Sequence, residues 1–224
     1  MIKMLFAVAT IGLFAVASSQ AMASENTTIG NARIVVRTVT GTLESGPRSG
    51  LRQIQLQDDI YHNEIIETGD DSATEFVFFD ETRLALGPNS KMVLDSFVFD
   101  PAADTGSFIM SATVGVFRFV SGKIPKMSYE IRTPNAVIGI RGTILSFIVI
   151  LGDTEDKPTK VNVTIEEGVA EITSCSGEQV SLSRPGASIT VSMNSDGICT
   201  MSTPPVAQAT EFTRMLAAFY IEKQ

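Results

Sequence analysis

Short runs of alternating apolar and polar residues, broken by turn-forming residues, occupy most of the chain. Residues 32–41 (ARIVVRTVTG) alternate, 51–56 follow a Gly-Pro loop, and 65–68 lead into Gly69-Asp70-Asp71. The run 73–79 (ATEFVFF) reads as another strand, Asp80-Glu81-Thr82 as a turn and 83–86 as the next strand. Gly87-Pro88-Asn89-Ser90 then turns the chain into KMVLDSFVF. The rhythm continues beyond residue 100, with Gly106 before FIMSATVGVFRFV, Gly122 before the central stretch, Gly168 inside VNVTIEEGVAEIT and Gly186 before SITVSM. Alternation at this period predicts strands that bury one face. The turn-strand units recur at irregular intervals near twenty residues, and one such unit cannot bury its apolar side alone. The expected fold is all-β, a twisted β-solenoid-like assembly or a closely related sandwich of short strands.

The longest apolar and β-branched run outside the N-terminus is SYEIRTPNAVIGIRGTILSFIVIL, residues 128–151. It reads as a buried corner, with extended backbone on each side of Pro134-Asn135. Gly139 and Gly142 sit where a close approach or a positive φ would be cheapest. Strict alternation puts Val137, Gly139 and Arg141 on one face, and Ile138, Ile140, Gly142 and Ile144 on the other. In GVFRFVSG the same rule puts Phe117 and Phe119 inward and Arg118 in solvent. Arg141-Gly142-Thr143 admits two readings. Arg141 pairs with a carboxylate or phosphate of a partner, or it donates to backbone carbonyls at a corner with Thr143 assisting through its hydroxyl. The apolar flanks favour the second, because a buried polar group there must be satisfied internally.

The two ends differ from this pattern. Residues 1–23 carry Lys3, an apolar segment over 4–17 and Ala21-Met22-Ala23, the layout of a secretory signal peptide cleaved before Ser24. The alternative, an uncleaved anchor, needs about 20 apolar residues, and this segment falls short of that. A β domain is expected over 24–203. Over 204–224 apolar residues recur at helical spacing (Val206, Ala209, Phe212, Leu216, Phe219, Tyr220) behind a possible N-cap at Thr203. This predicts a terminal amphipathic helix that caps an open end of the strands, or docks a partner.

Charge narrows the partners. The formal charge is −8, and without Lys3 it is −9, 16 basic against 25 acidic residues. No basic cluster stands out, so nucleic acid is not an expected partner, and after signal cleavage no apolar run is long enough for a transmembrane helix. An exported chain with only Cys175 and Cys199 is expected to bridge them, two reduced buried thiols being the alternative.

Candidates for chemistry are few. His62 is the only histidine, which excludes a histidine-based metal cluster, and no nucleophile-elbow, P-loop or dinucleotide motif is present. Asp58-Asp59, Asp70-Asp71, Asp80-Glu81 and the run 153–156 sit at turns, where carboxylates could gather around Ca²⁺ or act as an acid/base pair on a sugar. Asp is also simply a good turn former. Asn26-Thr27-Thr28 and Asn162-Val163-Thr164 match the N-glycosylation pattern.

TPNAVIGIRGT, residues 133–143, resembles the TP-x-A-x-x-G-[VI]-RGT signature of the FecR domain, the periplasmic domain named for a regulator of ferric citrate uptake. Upstream, Glu67-Thr68-Gly69, LALGPNSKMVLD (84–95) and the Gly-aromatic strand 115–120 match in order. Downstream, VTIEEGVAEI (163–172) resembles the family's V-x-EG-x-V strand, so the likeness spans about 54–187. Thr133, Pro134, Gly139, Arg141, Gly142 and Thr143, with Gly87, Pro88, Asn89 and Ser90, are then family-motif residues of structural role. The resemblance implies an extracytoplasmic all-β domain without catalysis or cofactor, similar to a relay between an outer-membrane receptor and a sigma-factor regulator. The signal peptide leaves no cytoplasmic segment before the domain, so that relay is not expected here. The expectation is a periplasmic or secreted interaction module for a protein or cell-envelope partner. A component of iron-uptake or cell-surface signalling and a carbohydrate-active enzyme are the alternatives.

Overall fold

The computed structural model describes residues 26–100, 102–103, 105–122, 126–152 and 159–204. The signal peptide, the acidic run 153–156 and all of the expected C-terminal helix except Pro204 lie outside these residues.

The described chain is all-β and contains no helix. Its strands are β1 (Thr28–Val36), β2 (Val39–Leu43), β3 (Gly50–Gln53), β4 (Asp59–Tyr61), β5 (Ile65–Thr68), β6 (Ala73–Phe78), β7 (Arg83–Leu86), β8 (Lys91–Asp100), β9 (Thr105–Val120), β10 (Lys126–Arg132), β11 (Ala136–Ile150), β12 (Thr159–Ser174), β13 (Gln179–Leu182), β14 (Ser188–Met193) and β15 (Cys199–Ser202). Three of them, β4, β13 and β15, have only three or four residues each, and their alternation is too brief to read from the sequence.

Hydrogen bonding joins all the strands into one sheet that folds over on itself. The first leaf runs β4, β1, β6, β7, the C-terminal half of β9, the C-terminal half of β11, the N-terminal half of β12, β14 and β15. The second runs β3, β2, β5, β8, the N-terminal half of β9, β10, the N-terminal half of β11, the C-terminal half of β12 and β13. Thus β9, β11 and β12 each belong to both leaves. Among the described pairs only β9 and β10 run parallel. Stacked parallel coils of a regular solenoid are therefore not how these strands assemble, and the facing leaves correspond to the sandwich alternative.

Bends in the shared strands make this possible. In β9 the bend falls near Gly115, whose φ is 118° and whose α-hydrogen faces Ser90; a Cβ at that position would overlap the Ser90 side chain and Cα. In β11 and β12 the register slips between Arg141 and Ile144, where Gly142 and Gly168 have φ of 54° and 85°. This bulge inserts an extra residue and reverses the side-chain phase. Ile138 and Ile140 are buried before it, and Thr143, Leu145, Phe147 and Val149 after it. Ile144 therefore leaves the face it was expected to share with Ile138 and Ile140, since uninterrupted alternation across residue 142 does not hold.

Between the leaves lies one core. Phe78 and Phe119 of the first leaf meet Phe108 of the second at ring-centroid distances of 5.0 and 5.6 Å, and Tyr129 packs on Phe119 at 5.4 Å. Phe117 and Phe119 both point inward, as alternation predicted, and Phe117 stacks on Phe147 across the β9–β11 pair at 4.8 Å.

Candidate functional site

The TPNAVIGIRGT segment works as a fastening between leaves. Thr133 closes the turn into β11, donating its hydroxyl to Ala136 O at 2.8 Å and accepting from Ala136 N–H at 3.0 Å. Pro134 follows, and Asn135, 1 % exposed, donates its amide to Val191 O at 2.9 Å and Thr159 O at 3.2 Å. At the bulge, Thr143 donates its hydroxyl to Val169 O at 2.7 Å, accepts from Val169 N–H at 3.1 Å, and sends its own N–H to Ser121 Oγ at 2.9 Å. Gly139 holds an ordinary strand position, the nearest atom to a Cβ there being Glu171 O at 3.8 Å. Arg141 corrects the expectation. Its side chain is exposed and makes no hydrogen bond or ion pair with the described residues, so Thr143 alone makes the expected stitch. Arg141 lies on the outer side with Val137, where alternation placed it, and the bulge that follows turns Thr143 inward to make the contact.

The second motif fastens the β7–β8 turn to the bend of β9. Gly87 O accepts from Thr68 Oγ1 at 2.7 Å and Ser90 Oγ at 2.9 Å, while Ser90 Oγ accepts from Val116 N–H at 3.0 Å. Pro88 starts the turn, and Asn89 adopts a φ of 51°, which asparagine tolerates better than most residues. Ser90 N–H returns to Thr68 Oγ1 at 2.9 Å.

The burial of Glu64, Glu75 and Asp80 was not anticipated; Glu75 lies 3.9 Å from Arg33, and the other two are held in polar knots. Glu64, fully buried, receives Arg52 Nε at 2.7 Å on one oxygen, and Arg52 Nη2 and Tyr61 N–H, both at 3.1 Å, on the other. Arg52 also reaches Asp58 at 3.4 Å and lies over the Tyr61 ring at 5.2 Å. Burial works against the Arg52 charge, and contact with Glu64 and then Asp58 outweighs it, leaving its pKa raised. Asp80 forms the other knot: Thr82 Oγ1 donates to it at 2.5 Å and Tyr129 OH at 3.0 Å, and Gly122 N–H meets the phenol oxygen at 3.0 Å. Burial foremost pushes the Tyr129 phenol up to about 12; the Thr82 hydrogen bond opposes the shift and the neighbouring Asp80 charge adds to it. The sequence signal for Glu64 was an acid directly before Ile65-Ile66, and for Asp80 an acid two residues before a threonine.

The remaining acids are dispersed. Asp71 pairs with exposed Arg37 at 3.2 Å, and Glu166 takes both Nε and Nη2 of Arg118, at 3.0 and 2.8 Å, with Ser146 Oγ at 2.9 Å. The Arg118 hydrogen bond, against the effect of burial, holds the Glu166 carboxyl below its usual range. Among the described residues no three His, Cys, Asp or Glu side chains gather where they could hold a metal. A half-open groove of about 360 Å³ is lined by Asn26, Leu43, Glu44, Ser45, His62, Asn63, Ile65 and Val93, with Glu44 its single carboxylate. His62 is half-buried, its Nε2 2.9 Å from Asp95 O. Cys175 and Cys199 form the expected disulfide, joining the turn after β12 to the start of β15.

Residues 64–171 match the family model described as FecR protein. The chain carries a FecR domain. The matched FecR segment includes both fastening motifs and all three shared strands up to Glu171. Outside it lie β1–β4 and β13–β15, which complete the two leaves. Two crystal structures of a candidate anti-sigma factor from Parabacteroides distasonis ATCC 8503, at 1.65 and 2.50 Å resolution, align with 16% identity and a TM-score of 0.48, over 65% of this chain and 62% of theirs. The chain thus spans less than two thirds of that protein. No curated protein matches the chain.

Proposed function

We propose that this chain is a non-enzymatic extracytoplasmic interaction module whose FecR domain presents strand edges to a protein partner in the cell envelope. The observation that carries this reading is the FecR match over residues 64–171, with the motif residues Thr133, Asn135, Thr143, Gly87 and Ser90 committed to holding the leaves together. Recognition then falls to the periphery. β3 pairs on one side only, Leu51 on it is 71% exposed, and Leu56 just beyond is 61% exposed, which suits addition of a partner strand. Residues 1–23 are proposed to direct export and to be removed before Ser24, placing the module in the periplasm or outside the cell.

A second reading, a component of iron-uptake or cell-surface signalling, is favoured by the same FecR match. Affinity capture of the tagged protein from crosslinked envelopes, read by mass spectrometry, distinguishes the two. Recovery of an outer-membrane receptor or an inner-membrane regulator supports signalling; other envelope proteins support the general module. In either case Leu51→Asp with Leu56→Asp should abolish capture. A partner list unchanged by that pair would move the interface elsewhere, and capture of none would sink the proposal.

A further inference from the structure

One row of residues crosses the outer side of the first leaf. Val116 on β9 stands opposite Ile148 on β11, Ile148 opposite Asn162 on β12, Asn162 opposite Thr190 on β14, and Thr190 opposite Ser202 on β15. Val116 is only 6% exposed and packs with Ile148 in a small apolar cluster separate from the main core. Asn162 donates its amide to Thr190 Oγ1 at 2.9 Å, but its Oδ1 is shut off from solvent and has no hydrogen-bond partner. An amide oxygen on a water-washed outer face would be hydrated. Beside this row, Ile150 and Leu151 are about half exposed and extend the apolar surface.

The row ends where the described chain ends. Ser202 is its last member, Pro204 is buried, and twenty residues, 205–224, follow. Four strand spacings separate β15 from β9, about 19 Å at the usual interstrand distance. Fifteen residues at helical rise, 206–220, cover about 22 Å. The apolar positions Ala209, Phe212, Leu216 and Phe219 recur at intervals of three and four, so one side of this segment matches the surface in length and character. The apolar N-terminal segment is a poorer match, since Asn26 is anchored to Ser45 O at the other end of the leaf, beyond β1.

We propose that residues 205–224 lie across the outer side of the first leaf from β15 back towards β9, with their apolar side on Val116, Ile148 and Ile150. The leaf is then covered on both sides, and the segment lies over a sheet face, where the sequence reading had it capping an open strand end.

The chain contains no tryptophan, so Ile150→Trp introduces a single reporter. Its emission is compared in the full chain, in the chain ending at Pro204, and in the full chain carrying Phe212→Asp with Leu216→Asp. The expected result is blue-shifted emission and weak acrylamide quenching in the full chain. Both alterations should shift the emission to the red and raise quenching several-fold, with the far-ultraviolet strand signal kept. If truncation disturbs that signal, the double-aspartate variant decides. Identical emission in the full chain and the double-aspartate variant overturns the proposal. So does a blue shift that disappears on dilution, because a second copy would then be the cover.

Discussion

Phe108 and Phe119 belong to the same strand, eleven residues apart, yet their rings meet edge to face at a centroid distance of 5.6 Å. A straight strand would separate them by roughly 36 Å. Strand β9 therefore turns back across the core, and this contact is the point where one strand packs against itself. Both rings are fully buried. Phe119→Ala should cost about 3–5 kcal/mol, read as a lowered denaturation midpoint with the slope unchanged. Gly115→Ala, which touches no core residue, should cost more than about 1 kcal/mol by straining the bend against Ser90.

Removing Arg52 leaves the Glu64 carboxylate buried and unpaired. Arg52→Met should destabilise the protein by about 3–5 kcal/mol. The exposed Arg37–Asp71 pair is the control, and Arg37→Met should change stability by less than about 1 kcal/mol. Equal losses in a two-variant denaturation series would show that burial of Glu64 is not what sets the cost.

For Tyr129 the folded-state pKa of about 12 lies above the ordinary value of 10. The folded state holds this proton more tightly than the unfolded chain does. The associated stability is fully present below pH 10 and is lost as the pH rises from there through 12. Absorbance titration of phenolate should show a late-ionising tyrosine in the wild type that Tyr129→Phe removes. If the late component survives in the variant, the assignment to the Asp80 knot fails.

The Cys175–Cys199 bridge closes a loop of 24 residues and holds edge strand β15 to the turn after β12. Its reduction should lower stability by about 3 kcal/mol on the chain-entropy estimate. Thermal melts with and without a dithiol, beside Cys175→Ser/Cys199→Ser, give the measurement; the reduced wild type and the double variant should coincide.

What was readable in the sequence was whatever repeats along the chain or is named by a local motif. Alternation located the inward Phe117 and Phe119, turn residues marked Gly87-Pro88-Asn89-Ser90, and the FecR signature pointed to a segment in which Thr133 and Thr143 make the turn and bulge hydrogen bonds. Alternation failed at Ile144 because a bulge is a property of the pair: the slip in β11 depends on Gly168, twenty-four residues further on in β12. Arg141 does lie on the outer face with Val137, as alternation placed it; what failed was its expected role at the corner, which Thr143 takes because the bulge turns it inward. Glu64 escaped notice and Asp80 was read only as a turn acid, because an acid's burial depends on partners distant in sequence, Arg52 in one case and Tyr129 in the other. The short strands β4, β13 and β15 exist because a longer neighbour offers them a free edge, and their own residues carry little trace of it.

Sharing β9, β11 and β12 between the leaves also decides how the molecule comes apart. Neither leaf can be peeled from the other with its hydrogen bonds intact, since each break would run through the middle of three strands. Loss of one leaf removes the backbone of the other, which makes unfolding all-or-none. Assembly has the same character. The C-terminal half of β9 pairs with β7 more than thirty residues back and with β11 some thirty residues further on, so most of the pairing is non-local and folding belongs in the slow, milliseconds-to-seconds class of β proteins.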